Sequence, residues 1–171
     1  MTDVVVSPAY VLRDYAWAVL KASDPTVWNA SKYGGQVPII PLNDDPDLSE
    51  YPGPRIIYEF SETDRGVTMY RGRGNMTFAV RDNDFRRMGK TINTLAEAFG
   101  RLDESAADVN DYIDRVRAGR GVAFDVSFGM IRLELSQSGT PEEEEGGQMV
   151  AIVNISYDFF VEYNVNTRPP V

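Results

Sequence analysis

Near the C-terminal end of the chain, Ala151, Val153, Ile155, Tyr157, Phe159, Val161 and Tyr163 alternate with Ile152, Asn154, Ser156, Asp158, Phe160 and Glu162. Successive side chains of a β-strand point to opposite faces, so the run reads as a strand with one wholly apolar face. Just upstream, Val122, Phe124, Val126 and Phe128 share a face, after which the apolar phase moves to Ile131, Leu133 and Leu135. A one-residue shift of phase across Gly129 is what a β-bulge produces. The linking "SGTPEEEEGGQ" places an acidic hairpin tip at residues 138–148. Two strands of about 15 residues each are well above the usual length and make a long C-terminal hairpin. Long edges and spare apolar positions such as Ile152 and Phe160 need cover. The arm at 29–54, the hairpin itself and the terminal "NVNTRPPV" (164–171) are the segments that can cover, or be covered by, copies of the same chain.

The rest of the chain must bury the apolar face of that hairpin. Ser7-Pro8 reads as N-cap and first helical position, because proline lacks only a hydrogen that has no partner there. Val11, Tyr15, Ala18, Val19 and Ala22 follow at helical spacing, and Asp24-Pro25 ends the helix. Residues 29–54 hold five prolines and three glycines and read as an extended arm without regular structure. Tyr33, Val37, Ile39, Ile40 and Leu42 give the arm apolar side chains, for a lid over its own core or for docking on a neighbouring subunit. "PRIIYEFSE" (54–62) is a strand, and 67–82 is a second strand pair or one long bent strand. Asp82 to Arg101 predicts a helix capped by Asp82, with Phe85, Met88, Ile92, Leu95, Ala96 and Phe99 on one side and Gly100 at its end. "DESAADVNDYIDRVRAG" predicts another, with Ser105 and Asp108 as a capping box, Ala106, Val109, Ile113 and Val116 inward, and Gly119 as C-terminal cap. The order gives an α+β fold in one domain, 1–171. It has a largely antiparallel sheet with a long C-terminal hairpin, packed against an N-terminal helix and two tandem central helices.

Composition narrows the chemistry. With 171 residues the chain can bury roughly 70% of its unfolded surface without a metal or disulfide. It has no cysteine, which removes thiolate nucleophiles and zinc–sulfur sites, and no histidine, the commonest general base and transition-metal ligand. No cofactor is expected. The formal charge is −9, the reverse of what duplex binding requires. The first residues lack a basic segment followed by an apolar run, and no stretch of about 18 apolar residues exists to span a membrane. Synthesis in a cytoplasm and no membrane partner are expected.

Three features carry charge at notable spacing. In "RGRGN" (71–75), Arg71 and Arg73 alternate with Gly72 and Gly74 inside a strand pattern, so both arginines point the same way. The segment is neither a Walker loop nor a dinucleotide fingerprint, which would open a helix. It is a glycine-softened strand or tight turn with solvated arginines, a basic spot that meets carboxylates of another subunit, or a direct contact to DNA. Glu142, Glu143, Glu144 and Glu145 stand between Pro141 and Gly146-Gly147 and lack the ligand spacing of a calcium loop. They are a solvated hairpin tip, a surface for a partner's arginines, or the lining of a passage that must not grip phosphate. Asp125 and Asp158 lie on the long strands and read as polar positions on a solvated or inter-subunit face, or as carboxylates that can approach across the hairpin.

The layout has a family likeness. "YVLRDYAWAVL" lies in an N-terminal amphipathic helix, followed by a proline-rich crossing and "GPRIIYEF". Then come "MTFAVRDNDF", the tandem helices "RRMGKTINTLAEAFGRLDESAADVNDYI" and the closing hairpin. In this order and length the chain resembles the tail terminator, or tail completion, proteins of tailed bacteriophages, in particular those with contractile tails. The resemblance covers most of the chain and excludes the RGRGN and EEEE segments. It implies a virion protein at the tail–neck junction: a homo-hexameric ring that caps the tail tube protein, touches the last ring of sheath protein and offers a surface to the neck or connector protein. DNA passes through the lumen of such a ring without specific binding, which a net negative chain suits. No catalytic residue carries over. Arg71, Arg73, Glu142 to Glu145, Ile39 and Ile40 are the candidate interface residues. Another neck or head–tail connector ring shares this logic. A small-ligand-binding or carboxylate-based enzymatic α+β domain is the reading from a different class.

Overall fold

The computed structural model describes residues 8–42, 53–63, 69–117, 124–135, 142–143 and 149–163. The N-terminal helix α1 spans Pro8–Ser23, with proline in its first turn. Its buried line is Ala9, Leu12, Ala16 and Leu20, while Val11, Tyr15 and Val19 flank it half-buried and Ala22 is exposed. The expected face is therefore rotated by about one residue, because α1 is apolar around much of its girth and the core selects the narrower small-and-leucine stripe. The arm begins with a short 3-10 turn, Ala30–Tyr33, whose Tyr33 hydroxyl donates to the Pro54 carbonyl at 2.5 Å. It continues into strand β1, Ile39–Pro41.

Strands β2 (Arg55–Thr63) and β3 (Met69–Asp82) lead into helix α2, Phe85–Phe99. Of the segment at 67–82, the described residues 69–82 form one continuous strand, not a pair. Asp84, not Asp82, caps α2: its carboxylate accepts from the Arg86 and Arg87 amides at 3.0 and 3.1 Å. Asp82 still belongs to β3, fully buried, and receives both Arg87 Nε at 2.8 Å and Arg87 Nη2 at 2.6 Å. Phe85, expected inward, is the first residue of α2 and is 66% exposed. Met88, Thr91, Leu95, Ala98 and Phe99 form the buried side, and Gly100 closes the helix with its amide on the Ala96 carbonyl.

Helix α3 spans Asp103–Arg117. Ser105 sits inside it, fully buried, and accepts the Arg101 amide at 2.9 Å, so it ties the interhelical corner and does not cap α3. Asp108 pairs with Arg101 Nη2 at 2.6 Å instead of completing a capping box. Ala106 and Val109 are buried as expected, Ile113 half-buried and Val116 exposed. Strands β4 (Phe124–Leu135), β5 (Glu142–Glu143) and β6 (Met149–Tyr163) finish the chain.

The sheet runs β1-β2-β3-β6-β4, with β5 also paired to β6. Among the described residues only β1 is parallel to its neighbour, and the other pairings are antiparallel. The fold is α+β, and its longest strand, β6, lies inside the sheet between β3 and β4. Its odd-numbered residues, Ala151 through Val161, join Ile56, Tyr58, Met76, Phe78, Val80, Val126, Phe128 and Ile131 in one buried cluster under the three helices. Ring contacts cross all layers, from Tyr112 of α3 through Tyr15, Phe99 and Phe78 to Tyr58 of β2, at centroid distances of 5.4 to 6.5 Å. Among the described residues no helix covers the opposite face of the sheet.

Candidate interface on the open face of the sheet

The geometry of "RGRGN" follows from strand alternation. Arg71 and Arg73 point to the open face, and Gly72 and Gly74 to the helix face. There the glycines admit rings from β6. Gly72 stands opposite Phe159 and Gly74 opposite Tyr157. A Cβ on Gly74 would lie 2.2 Å from Tyr157 Cζ, and one on Gly72 would lie 2.7 Å from Phe159 Cζ and 2.1 Å from the Thr63 carbonyl oxygen. Both Tyr157 and Phe159 are buried, and Tyr157 meets Phe128 edge to face at 5.8 Å. The glycines therefore serve the core, and the same alternation turns both arginines outward. Burial raises the Tyr157 phenol far above its usual range, with the neighbouring Glu62 carboxylate adding to the shift.

On the open face, register gathers more than the two arginines. Arg71 stands opposite Phe160, and its guanidinium carbon lies 5.4 Å from that ring's centroid. Arg73 stands opposite Asp158, with Nε 3.5 Å from Oδ1. That pair is 85% and 53% exposed, so it contributes little to stability. On the other side of β6, Asp158 faces Met130 and Ser156 faces Arg132. The register slips between Phe128 and Met130, at the bulge the sequence predicts. Without that extra residue Met130 and Arg132 would face the helices; with it they join Ser127 on the open face. Arg132 was not singled out by sequence reasoning, although the phase shift at Gly129 was the signal that places it there. Arg71, Arg73 and Arg132 thus surround one aspartate, a local positive excess on a chain of formal charge −9. A hollow of about 370 Å³ lies between Arg73 and Arg132, floored by Ser156 and Asp158.

The remaining sequence candidates fall elsewhere. Ile39, opposite Ile56, is 0% exposed in the cluster under the helices, while Ile40, opposite Ile57, alternates to the other face and is 5% exposed, so both are buried within the chain itself. Glu142 and Glu143 are strand residues opposite Val150 and Met149, not part of an unpaired tip. Glu144, Glu145 and the tail 164–171 lie outside the described residues, as do Ser7, Gly119 and residues 43–52 of the arm. Asp125 stands opposite Glu162 and Asp158 opposite Met130. Four positions along a strand separate their register positions by roughly 13 Å, so the sheet does not set them opposite each other.

The edge of β4 has its own cover. The Asn110 side chain of α3 imitates a neighbouring strand at Phe128: its Nδ2 donates to the Phe128 carbonyl at 3.0 Å and its Oδ1 accepts the Phe128 amide at 2.9 Å. Leu102 forms an isolated antiparallel bridge to Ile131 with φ of 52°. Together they block the middle of an edge that would otherwise invite another strand.

A second charged surface lies on α3. The helix sequence carries five carboxylates, Asp103, Glu104, Asp108, Asp111 and Asp114, to two arginines, Arg115 and Arg117. Asp108, Asp111, Asp114 and Arg115 line a hollow with Tyr15, whose phenol is raised first by burial and then by the charge of Asp108. Among the described residues no group of three His, Cys, Asp or Glu gathers to hold a metal ion. No described helix is long and apolar enough to cross a membrane. No protein-family model matches the chain, and no curated protein matches it significantly.

Proposed function

We propose that this chain is a structural virion protein that forms a ring, terminates a phage tail tube and joins the tail to the neck. The observation that carries the reading is the sheet face that no described helix covers, with arginines gathered around Phe160 and Asp158 on an otherwise acidic molecule. A solvated antiparallel face needs no such clustering, whereas arginine beside an aromatic ring is the composition of a protein contact. The element order supports the reading too, since it is the layout on which the family resemblance rests. In this role the chain binds its own copies, the tube, the sheath and the neck, and lets DNA slide through a lumen whose charge does not hold phosphate.

Deleting the gene from the phage tests the reading. Tails of uncontrolled length that fail to join heads are expected by electron microscopy. Infectious virions with tails of normal length would overturn it. Normal tubes without joined heads would place the protein in another ring of the neck.

A further inference from the structure

We propose that the basic end of the open sheet face docks on the acidic outer surface of α3 in a second copy of the chain, so that copies join head to tail. The inference deepens the ring reading by naming the two surfaces of its subunit contact. The first surface is Arg71, Arg73 and Arg132 around half-buried Phe160 and Met130. The second is exposed Asp111 and Asp114, which outnumber Arg115 on the same hollow, with half-buried Asp108, already paired with Arg101, beside Tyr15. Their charges are opposite, and both lie on a chain whose net charge would otherwise drive copies apart.

The two surfaces cannot satisfy each other within one chain. The arginines lie on the open face, whereas α3 belongs to the layer packed on the other face and along the β4 edge, where Asn110 is bonded to Phe128. Contact between them must therefore be intermolecular and heterologous, one patch against a different patch of the next copy. Repetition of such a contact closes into a ring or runs on as a filament. The blocked middle of β4 points the same way: copies meet through side chains on faces, not by adding strand to strand at that edge. Phe160 and Met130 supply the apolar centre, and the arginines supply the charge-assisted hydrogen bonds around it.

Charge exchange tests the pairing by sedimentation velocity at low salt. Wild type is expected to associate, and raising the salt to weaken it. Arg71→Glu/Arg73→Glu alone and Asp111→Lys/Asp114→Lys alone are each expected to sediment as folded monomers, because each variant then carries two patches of like sign. An equimolar mixture is expected to recover association, with the two variants alternating around the assembly. One chain carrying all four substitutions is expected to associate by itself. A monomeric wild type, association of either variant alone at the wild-type level, or a mixture that stays monomeric overturns the proposal. So does retention of double-stranded DNA by wild type that Arg71→Glu/Arg73→Glu abolishes, since the arginines would then serve phosphate. Failure here with intact dependence of tail length on the gene leaves the ring reading standing on other surfaces; association by this contact without that dependence sinks the ring reading alone.

Discussion

Replacing Gly74 by alanine adds one carbon to β3 at the point where Tyr157 crosses it. That carbon would lie 2.2 Å from Tyr157 Cζ and 2.4 Å from both its Cε2 and its hydroxyl oxygen. Carbon atoms need about 3.5 Å, so the ring would have to retreat by more than ~1 Å. It has nowhere to go: Tyr157 is 2% exposed, edge-on to Phe128 at 5.8 Å and tilted against Phe159 at 6.0 Å. Overpacking a core costs about 1–3 kcal/mol, and a confined ring puts this site at the upper end. The lower chain entropy of alanine in the unfolded state returns about 0.4–1 kcal/mol. A net loss of about 2 kcal/mol lowers the melting temperature by roughly 4–8 °C in a protein of this size, measurable by circular dichroism. Gly129→Ala is the control, because nothing lies within 4 Å of its added carbon, and it should stay within about 0.5 kcal/mol of wild type. In a Tyr157→Val background the Gly74→Ala cost should largely vanish, giving a coupling energy above about 1 kcal/mol. Wild-type stability of Gly74→Ala, or strict additivity with Tyr157→Val, would refute the claim that the glycine exists to admit the ring.

Other perturbations have equally definite outcomes. Arg87→Met leaves the fully buried Asp82 carboxylate without its two guanidinium hydrogen bonds and should cost about 3 kcal/mol or more by urea unfolding; a loss under about 1 kcal/mol would show that Asp82 has sufficient other partners. Leu102→Asn should stabilise by up to about 1 kcal/mol, because leucine at φ 52° occupies the left-handed region that asparagine tolerates; destabilisation would show that the exposed leucine side chain matters. The Arg87 and Arg86 amides hold the Asp84 carboxyl below its ordinary value of 3.8, so its capping contribution is complete above that value and fades as pH falls through the lower folded-state value. Asp84→Ala should therefore melt below wild type at neutral pH, and the gap should close in acid; a gap independent of pH would contradict the cap. Asn110→Ala uncovers the Phe128 amide and carbonyl on an edge strand, and increased aggregation is expected by light scattering without a change of secondary structure.

Period-two alternation made β6 legible in the sequence, as did the slip at Gly129, because one face of each strand is wholly apolar. The stop at Gly100 was legible for the same kind of local reason. What escaped was decided by distant parts of the chain. Two aspartates, Asp82 and Asp84, compete to cap α2, and the choice falls to Asp84 because β3 pairs with β2 and β6 as far as Arg81 and Asp82. Strand β1 is three residues long and owes its existence to pairing with β2, so Ile39 and Ile40 looked like arm residues free to dock elsewhere. The edge cover by Asn110 joins residues 18 apart through a side-chain amide and leaves no periodic trace. At the candidate interface, Arg71 and Arg73 were visible as a pair, but Arg132 reaches their face only through the bulge, and Phe160 and Asp158 only through register.

Imaging of purified tails by electron microscopy, with a label on this chain, tests the assignment most directly. A single closed ring of cyclic symmetry at the head-proximal end of every completed tail, built from copies in head-to-tail contact, is the expected result. Label absent from completed tails, or spread along their length, would contradict it.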